Sequence, residues 1–288
     1  MQKIFITGIS GNLGNYLKKE FKKNYKIYGS VNQKKNLTKD NKYVIIKHYF
    51  SVNKILAIIN IRPDYIIHCA ALTNIEKCEM NEKKCYLINS FFSNKLAKVA
   101  RILGSKFIYI STDQLYNGRK LIYNEKDKLT PINNYAKSKA LAEKLIIHSN
   151  PLSLILRMSF IGSSFNSSNN LLNFIKNNLI LKNKILGFED VNFTPVSLNY
   201  ISMIILKFIK LKNIYGIYNV SSNKTISKYT LCKIIALRYK LNQNLILKSK
   251  VSQNINLKAK RPKNMSLSSK KMEKILNLKS KSIKNMSW

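Results

Sequence analysis

Three of the chain's nine glycines fall in one short run, Thr7-Gly8-Ile9-Ser10-Gly11-Asn12-Leu13-Gly14. The residues before it, Lys3 to Thr7, are apolar without polar alternation, the pattern of a parallel strand buried on both faces. After it, residues 16–23 take up a helical pattern. Strand, glycine turn and helix in that order leave few folds open. One glycine permits the tight turn, a second lets backbone approach a pyrophosphate, and a third lets the helix pack close to the strand. The helix start then offers free N–H groups to phosphate. Gly8, Ser10, Gly11, Asn12, Leu13 and Gly14 are therefore the expected dinucleotide cradle.

The first half goes on repeating strand then helix. Strands are expected at residues 26–30, 43–47, 65–68, 106–110 and 152–158. Helices are expected at 52–61, with Ser51 as its cap, and at 82–103. This rhythm predicts an α/β protein with a Rossmann-type, doubly wound parallel sheet. Residues 1–160 are expected to form the dinucleotide-binding domain. Residues 161–288 are expected to form mainly a smaller C-terminal cap that binds substrate, with 216–220 returning to the sheet as a strand. Within the cap, helices are expected at 171–181, 197–211 and 228–241, the last capped by Ser227. The polar stretch 162–170 reads as a lid and 248–260 as exposed chain. No internal repeat or linker divides the two parts.

An NAD-preferring site usually has an acid near the end of its second strand, to hold the ribose diol. Here none lies between Glu20 and Asp40, and Ser30, Asn32, Lys34 and Lys35 stand in that region. Ser30 and Lys34 suit a 2′-phosphate, so NADP(H) is expected in preference to NAD(H). At the end of the fourth strand, the small Ala70-Ala71 pair would let the cofactor lie against backbone, where open α/β sheets bind ligands. His68, inside the apolar run, reads as a packed strand-end residue.

The formal net charge of +38 raises the question of a nucleic-acid partner. The basic residues are overwhelmingly Lys, spread from Lys3 to Lys284 beside many Asn, Ile and Tyr. That distribution fits solvated lysines under an A+T-rich coding bias, so no specific nucleic-acid partner is expected. No apolar run approaches the length of a membrane span, so no membrane partner is expected. The chain runs directly from Met1 into a strand. Its four cysteines have neither metal-ligand nor disulfide spacing. A cytoplasmic protein without a metal site is the simple reading, with a second copy of the chain, as a homodimer, the candidate protein partner.

Chemistry is sought in Tyr-x-x-x-Lys, where a phenol and an ammonium share one helix face. The positive charge favours the phenolate and lowers its pKa, and such a pair can protonate a carbonyl oxygen as a hydride reaches the carbon. With 16 Tyr and so many Lys, chance alone supplies a few such pairs, and four occur: Tyr43/Lys47, Tyr116/Lys120, Tyr135/Lys139 and Tyr229/Lys233. Tyr43 sits in a strand-like run, and Tyr116 precedes an Asn-Gly turn. Tyr229 lacks a polar strand-end motif before it. Only Tyr135 follows a strand ending in Ser111-Thr112-Asp113. Asn89 interrupts the buried side of the long helix. It either braces backbone or orders a water near the catalytic lysine.

Taken together, Thr7-Gly8-x-x-Gly11-x-x-Gly14, Ser111-Thr112-Asp113 and Tyr135-x-x-x-Lys139 resemble the extended short-chain dehydrogenase/reductase superfamily. Closer still is the dTDP-4-dehydrorhamnose reductase family. The segment from His68 to Glu79, Arg157 after the sixth strand and Arg261-Pro262 through Leu267 extend the likeness over nearly the whole chain. The resemblance implies NADPH-dependent reduction of a 4-keto group on a nucleotide-linked deoxysugar, feeding surface polysaccharide. Thr112 would polarise the carbonyl, Tyr135 would protonate it, and Lys139 would tune Tyr135 and hold the nicotinamide ribose. Thr73 and Asp113 would touch substrate. Arg157 and Arg261 would hold its pyrophosphate or, equally, form surface ion pairs. Dehydratases of the superfamily carry Asp-Glu after the threonine. Here the pair is Asp113-Gln114, and a neutral amide cannot serve as the second acid/base. The alternatives are an epimerase of the same superfamily and a non-catalytic, NADP-binding regulatory subunit.

Overall fold

The structure, a computed structural model, describes residues 1–31, 43–45, 52–162, 170–211, 213–253 and 258–287. The first half runs β1 (Lys3–Thr7), α1 (Asn12–Phe21), β2 (Lys26–Val31), β3 (Tyr43–Ile45), α2 (Val52–Ile61), β4 (Tyr65–His68), α3 (Ile75–Met80) and α4 (Glu82–Tyr86). A π-helical turn, Leu87–Phe91, leads into α5 (Phe92–Ile102), then β5 (Lys106–Ile110), α6 (Asn134–Ser149) and β6 (Leu154–Met158). The second half comprises β7 (Phe160–Ile161), α7 (Leu171–Ile180), β8 (Ile185–Phe188), β9 (Asn192–Phe193), β10 (Val196–Ser197) and α8 (Leu198–Lys210). It ends with β11 (Gly216–Val220), β12 (Ile226–Ser227), α9 (Lys228–Arg238), β13 (Ile246–Ser249) and α10 (Lys270–Leu276).

The main sheet has seven parallel strands in the order β11-β6-β5-β4-β1-β2-β3. Its strands lack polar alternation because both faces are covered. Ile4, Ile6, Ile67, Ile108 and Leu156 pack on one side with Leu13 and Leu17 of α1 and Ile201, Ile205 and Phe208 of α8. Phe5, Ile66, Phe107, Tyr109 and Ile155 pack on the other with Phe92 and Leu96 of α5 and Ala142 and Ile146 of α6. This is a Rossmann-like α/β fold. A separate apolar cluster, including Leu172, Ile175, Phe193, Leu231 and Ile235, joins α7, β9 and α9 beyond the sheet.

Register decides where the chemistry goes. Thr7 lies opposite both Ser30 and His68, so β1, β2 and β4 end in line. His68 in turn lies opposite Tyr109 of β5. The glycine turn, Ser30, Ala70 and Ser111-Thr112 are thereby delivered to a single carboxyl edge.

Two elements differ from expectation. Helix α1 begins at Asn12 rather than at residue 16, because Leu13, Leu17 and Phe21 form one buried stripe at helical spacing. The helix expected as continuous over 82–103 is broken by the π turn around Asn89, whose side chain reaches sideways to the backbone of Leu72. Ser51, Lys34, Lys35 and most of the expected lid (163–169) lie outside the described residues. Among the described residues no helix is long and apolar enough to cross a membrane. Nor does any group of three or more His, Cys, Asp or Glu among them come together to hold a metal.

Candidate active site

A cleft of about 710 Å³ opens along the carboxyl edge between the glycine turn and the α6 helix. Gly8 has φ 65°, a conformation in which a side chain is strained. Gly11 N donates to Gly8 O at 2.9 Å, closing the turn. A Cβ on Gly14 would lie 2.3 Å from Gly8 O, so only glycine lets the first turn of α1 sit this close. The helix is capped by Gly11 with no side-chain bond, and Asn12, Leu13 and Gly14 of its first turn line the cleft with Ser10.

The neighbouring strand end is pinned to this turn. Thr7 Oγ1 bonds His68 Nδ1 at 2.6 Å and accepts from Ala70 N at 3.2 Å, while His68 Nε2 bonds Ser93 Oγ at 2.8 Å. Burial, assisted by Lys139, drives the His68 pKa down to about 3, so the ring is neutral and acts as a strut. Ala70, Ala71 and Thr73 continue along the cleft wall, and Ser30 lines it from the end of β2.

Helix α6 starts at Asn134 because Asn133 caps it, Oδ1 accepting from Ala136 N at 2.8 Å. Tyr135 and Lys139 follow one turn apart, 8% and 2% exposed, and both line the cleft. Thr112, 5% exposed, lines the same cleft from the end of β5, its hydroxyl close enough to the Tyr135 phenol to influence its proton affinity. Lys139 Nζ donates to Ile110 O at 2.7 Å and lies 4.0 Å from the centre of the Tyr109 ring. Burial lowers the Lys139 pKa to about 7 against the opposing charge of Glu143.

One electrostatic expectation is corrected here. The ammonium was to lower the Tyr135 pKa. In the structure burial raises it, the Thr112 hydrogen bond only partly offsetting the effect. Desolvating a phenolate costs more than the neighbouring hydroxyl returns, and the ammonium is turned onto the Ile110 carbonyl. Tyr135 therefore holds its proton, which is what a proton donor requires.

Asp113 lines the cleft at 4% exposure. Its Oδ1 accepts from Thr112 Oγ1 at 3.3 Å and its Oδ2 has no partner. Burial raises its pKa to about 6, outweighing Lys228 nearby. Asn89 braces backbone: Oδ1 accepts from Leu72 N at 2.8 Å, and Nδ2 donates to Leu72 O at 3.1 Å and to Ser138 Oγ at 3.0 Å.

The two arginines part company. Arg157, 2% exposed, is locked to Glu143 by Nη2–Oε2 at 2.6 Å and donates to Tyr116 Oη at 2.8 Å. It is neither a surface ion pair nor a pyrophosphate ligand, since any phosphate would have to displace a buried carboxylate, and it does not line the cleft. Arg261 is not among the cleft-lining residues either, but it pairs with Glu76 at 2.7 Å, is half-buried and keeps a buried Nη1 without an acceptor.

Sequence reasoning missed Glu143 as Arg157's partner and as the charge opposing Lys139's desolvation. The Lys139-x-x-x-Glu143 spacing on one helix was the available signal. It also missed Ser138, which joins Asn89 to Cys85 (Sγ–Oγ 3.2 Å), and had no signal for it.

The RmlD substrate binding domain model matches residues 1–286 of the chain. The dTDP-4-dehydrorhamnose reductase of Aggregatibacter actinomycetemcomitans is 30% identical over 80% of this chain and 76% of that protein. Methionine adenosyltransferase 2 subunit beta of Xenopus tropicalis is 26% identical over 83% and 73%. The crystal structure of dTDP-4-dehydrorhamnose reductase from Bacillus anthracis, in complex with NADP, superposes with a TM-score of 0.87 at 25% identity, covering 99% of this chain and 96% of that one. A glycine cradle, a buried Thr-Tyr-Lys set on one cleft and a family match over nearly every residue lead to one assignment: the chain belongs to the RmlD substrate binding domain family, that of the dTDP-4-dehydrorhamnose reductases within the extended short-chain dehydrogenase/reductases.

Proposed function

We propose that the protein reduces the 4-keto group of a nucleotide-linked deoxysugar with NADPH, supplying a precursor of surface polysaccharide in the cytoplasm. The observation that carries this reading is the meeting of the Thr112 hydroxyl, the protonated Tyr135 phenol and Lys139 in the same cleft as the glycine cradle. Four free thiols suit a reducing compartment.

The residues present fit a dinucleotide phosphate. Space for a Cβ is missing at Gly14 and tight at Gly11, so backbone alone forms the turn against which a diphosphate would lie. Ser30, at the end of β2 and without an acid beside it, is placed to meet a 2′-phosphate, with Lys34 as its proposed companion. Ala70 and Ala71 would allow close approach on the far side. When bound, NADPH supplies the hydride.

The chain's own residues do the rest. Gln114 N donates to Thr112 Oγ1 at 3.3 Å, and the Thr112 hydroxyl, which donates to Asp113 Oδ1 at 3.3 Å in the free protein, would turn its proton to a carbonyl oxygen when substrate binds. Tyr135 holds a proton on Oη for the same oxygen and releases it as negative charge develops there. Lys139 would stabilise the resulting phenolate and would hold the nicotinamide ribose of a bound cofactor. Thr73 and Asp113 contact the sugar. Arg261, with its unused Nη1, takes the substrate pyrophosphate. An intact Thr112, Tyr135 and Lys139 set separates this reading from a purely regulatory subunit.

The test is NADPH oxidation with a panel of nucleotide 4-ketosugars. Turnover is expected with at least one of them, and Tyr135→Phe is expected to lower kcat by about 10²–10⁴-fold while NADPH binding is nearly unchanged. Retained turnover in the Phe variant removes Tyr135 from the mechanism.

A further inference from the structure

Two cleft-lining residues beside Thr112 each carry a buried oxygen with no hydrogen-bond donor, Asp113 Oδ2 and Gln114 Oε1, which a small side-chain rotation would turn to a ligand. Both residues line the cleft, and Asp113 is 4% exposed. A buried acceptor left unpaired is destabilising, so adjacent orphans in a ligand cleft mark a place where the ligand brings the donors. Several neighbouring polar groups are engaged within the protein. Lys139 is on Ile110 O, Thr7 and His68 are on each other, and Asn89 is on Leu72.

The identity of the donor follows from chemistry. A carboxamide oxygen accepts but cannot exchange a proton at neutral pH, so Gln114 Oε1 selects for an N–H or O–H without reacting with it. The substrate's diphosphate and its ketone offer only acceptors. Gln114 is also tied to the reacting centre, because its own N–H is bonded to Thr112 Oγ1. Its side chain is therefore confined to groups near the carbon that is reduced. Of the two carbons flanking a C4 carbonyl in a hexopyranose, C5 carries the ring oxygen and C6, and only C3 carries a hydroxyl.

Resting on the reductase reading above, we propose that Gln114 is a specificity-determining residue whose carbonyl oxygen, together with Asp113, accepts from the C3 hydroxyl of the 4-ketosugar. The site thus selects substrates hydroxylated next to the reacting carbon over those deoxygenated there. A site that hydrogen-bonds a substrate hydroxyl rejects the analogue lacking it because its own acceptors stay unpaired.

The test compares kcat/KM for two nucleotide 4-ketosugars differing only in the C3 hydroxyl, using wild type, Gln114→Met and Gln114→Glu. Methionine keeps the length and removes the acceptor, whereas glutamate retains an oxygen in its place. Wild type is expected to favour the hydroxylated substrate by about tenfold or more. That ratio is expected to collapse towards one in Gln114→Met and to be kept in Gln114→Glu, with NADPH binding by fluorescence titration reporting that both variants are folded. An unchanged ratio in Gln114→Met, or an equal loss on both substrates, overturns the proposal and leaves the reductase reading standing. Failure of the wild type to turn over either sugar while binding NADPH overturns the reductase reading itself, and the proposal with it.

Discussion

Asp113 combines two demands that pull apart. Its Oδ2 has no donor within the protein, and its burial makes the ionised form costly. With the folded pKa raised to about 6, the folded state holds this proton more tightly than the unfolded chain, whose carboxyl titrates near 3.9. The penalty is therefore absent below about pH 4, grows as the pH rises towards 6, and is complete above that. Asp113→Asn is expected to raise unfolding stability at pH 7–8 by on the order of 2 kcal/mol, with the gain vanishing near pH 4, and to lower kcat/KM. Urea unfolding at both pH values, beside a steady-state assay, checks it. An equal gain at pH 4 would mean that charge burial is not the cause. His68 carries the opposite sign: with its pKa depressed to about 3, it favours the fold fully above about 6.5 and loses that contribution as the pH falls.

Helix α6 works as a bracket between the chemistry and the sheet. Tyr135 and Lys139 face the cleft from its first turns, and Glu143, one turn further on, grips Arg157 of β6 and accepts from Ser111 Oγ next to Thr112. The strand end that carries Thr112 and the helix turn that carries Tyr135 and Lys139 are thus joined through one buried carboxylate. Arg157→Met is expected to leave Glu143 charged and unpaired and to destabilise the protein by about 3–5 kcal/mol. A thermal melt shows this, whereas loss of a pyrophosphate ligand would raise KM with the melting temperature intact. The turn into α1 is equally unforgiving. Gly14→Ala sets a methyl 2.3 Å from Gly8 O, against backbone that cannot rotate away. The expected cost is about 1–3 kcal/mol of stability together with weakened NADPH binding, read by melting and fluorescence titration.

At the level of the whole molecule, the sheet was legible because its signals are local. The Lys3–Thr7 strand, the glycines at 8, 11 and 14 and the return strand at 216–220 each announce themselves within a few residues. That Thr112, Tyr135 and Lys139 converge on one cleft was legible by spacing and order. Arg157 was not, since its partner Glu143 sits on another element and nothing near Arg157 in sequence says that the strand end is sealed. The Tyr135 proton affinity was likewise invisible, because it depends on burial created by α3, α4 and the loop at Leu72 folding over the phenol. Asn89 stood between two readings until the π turn showed which way its side chain points.

The sheet order has one more implication. Strand β11 lies beside β6, although 57 residues separate the end of one from the start of the other in sequence (Met158 to Gly216), and α8, which covers the α1 face, lies in that interval. A fragment ending at residue 160 would leave β6 as an unpaired border with Ile155 and Leu156 beside open backbone. Such a fragment is expected to aggregate rather than bind NADPH, as light scattering and titration would reveal. On the ribosome, then, the nascent chain must emerge well past residue 220 before its first half finds shelter. Synthesis, not only sequence, sets the moment at which this enzyme comes into being.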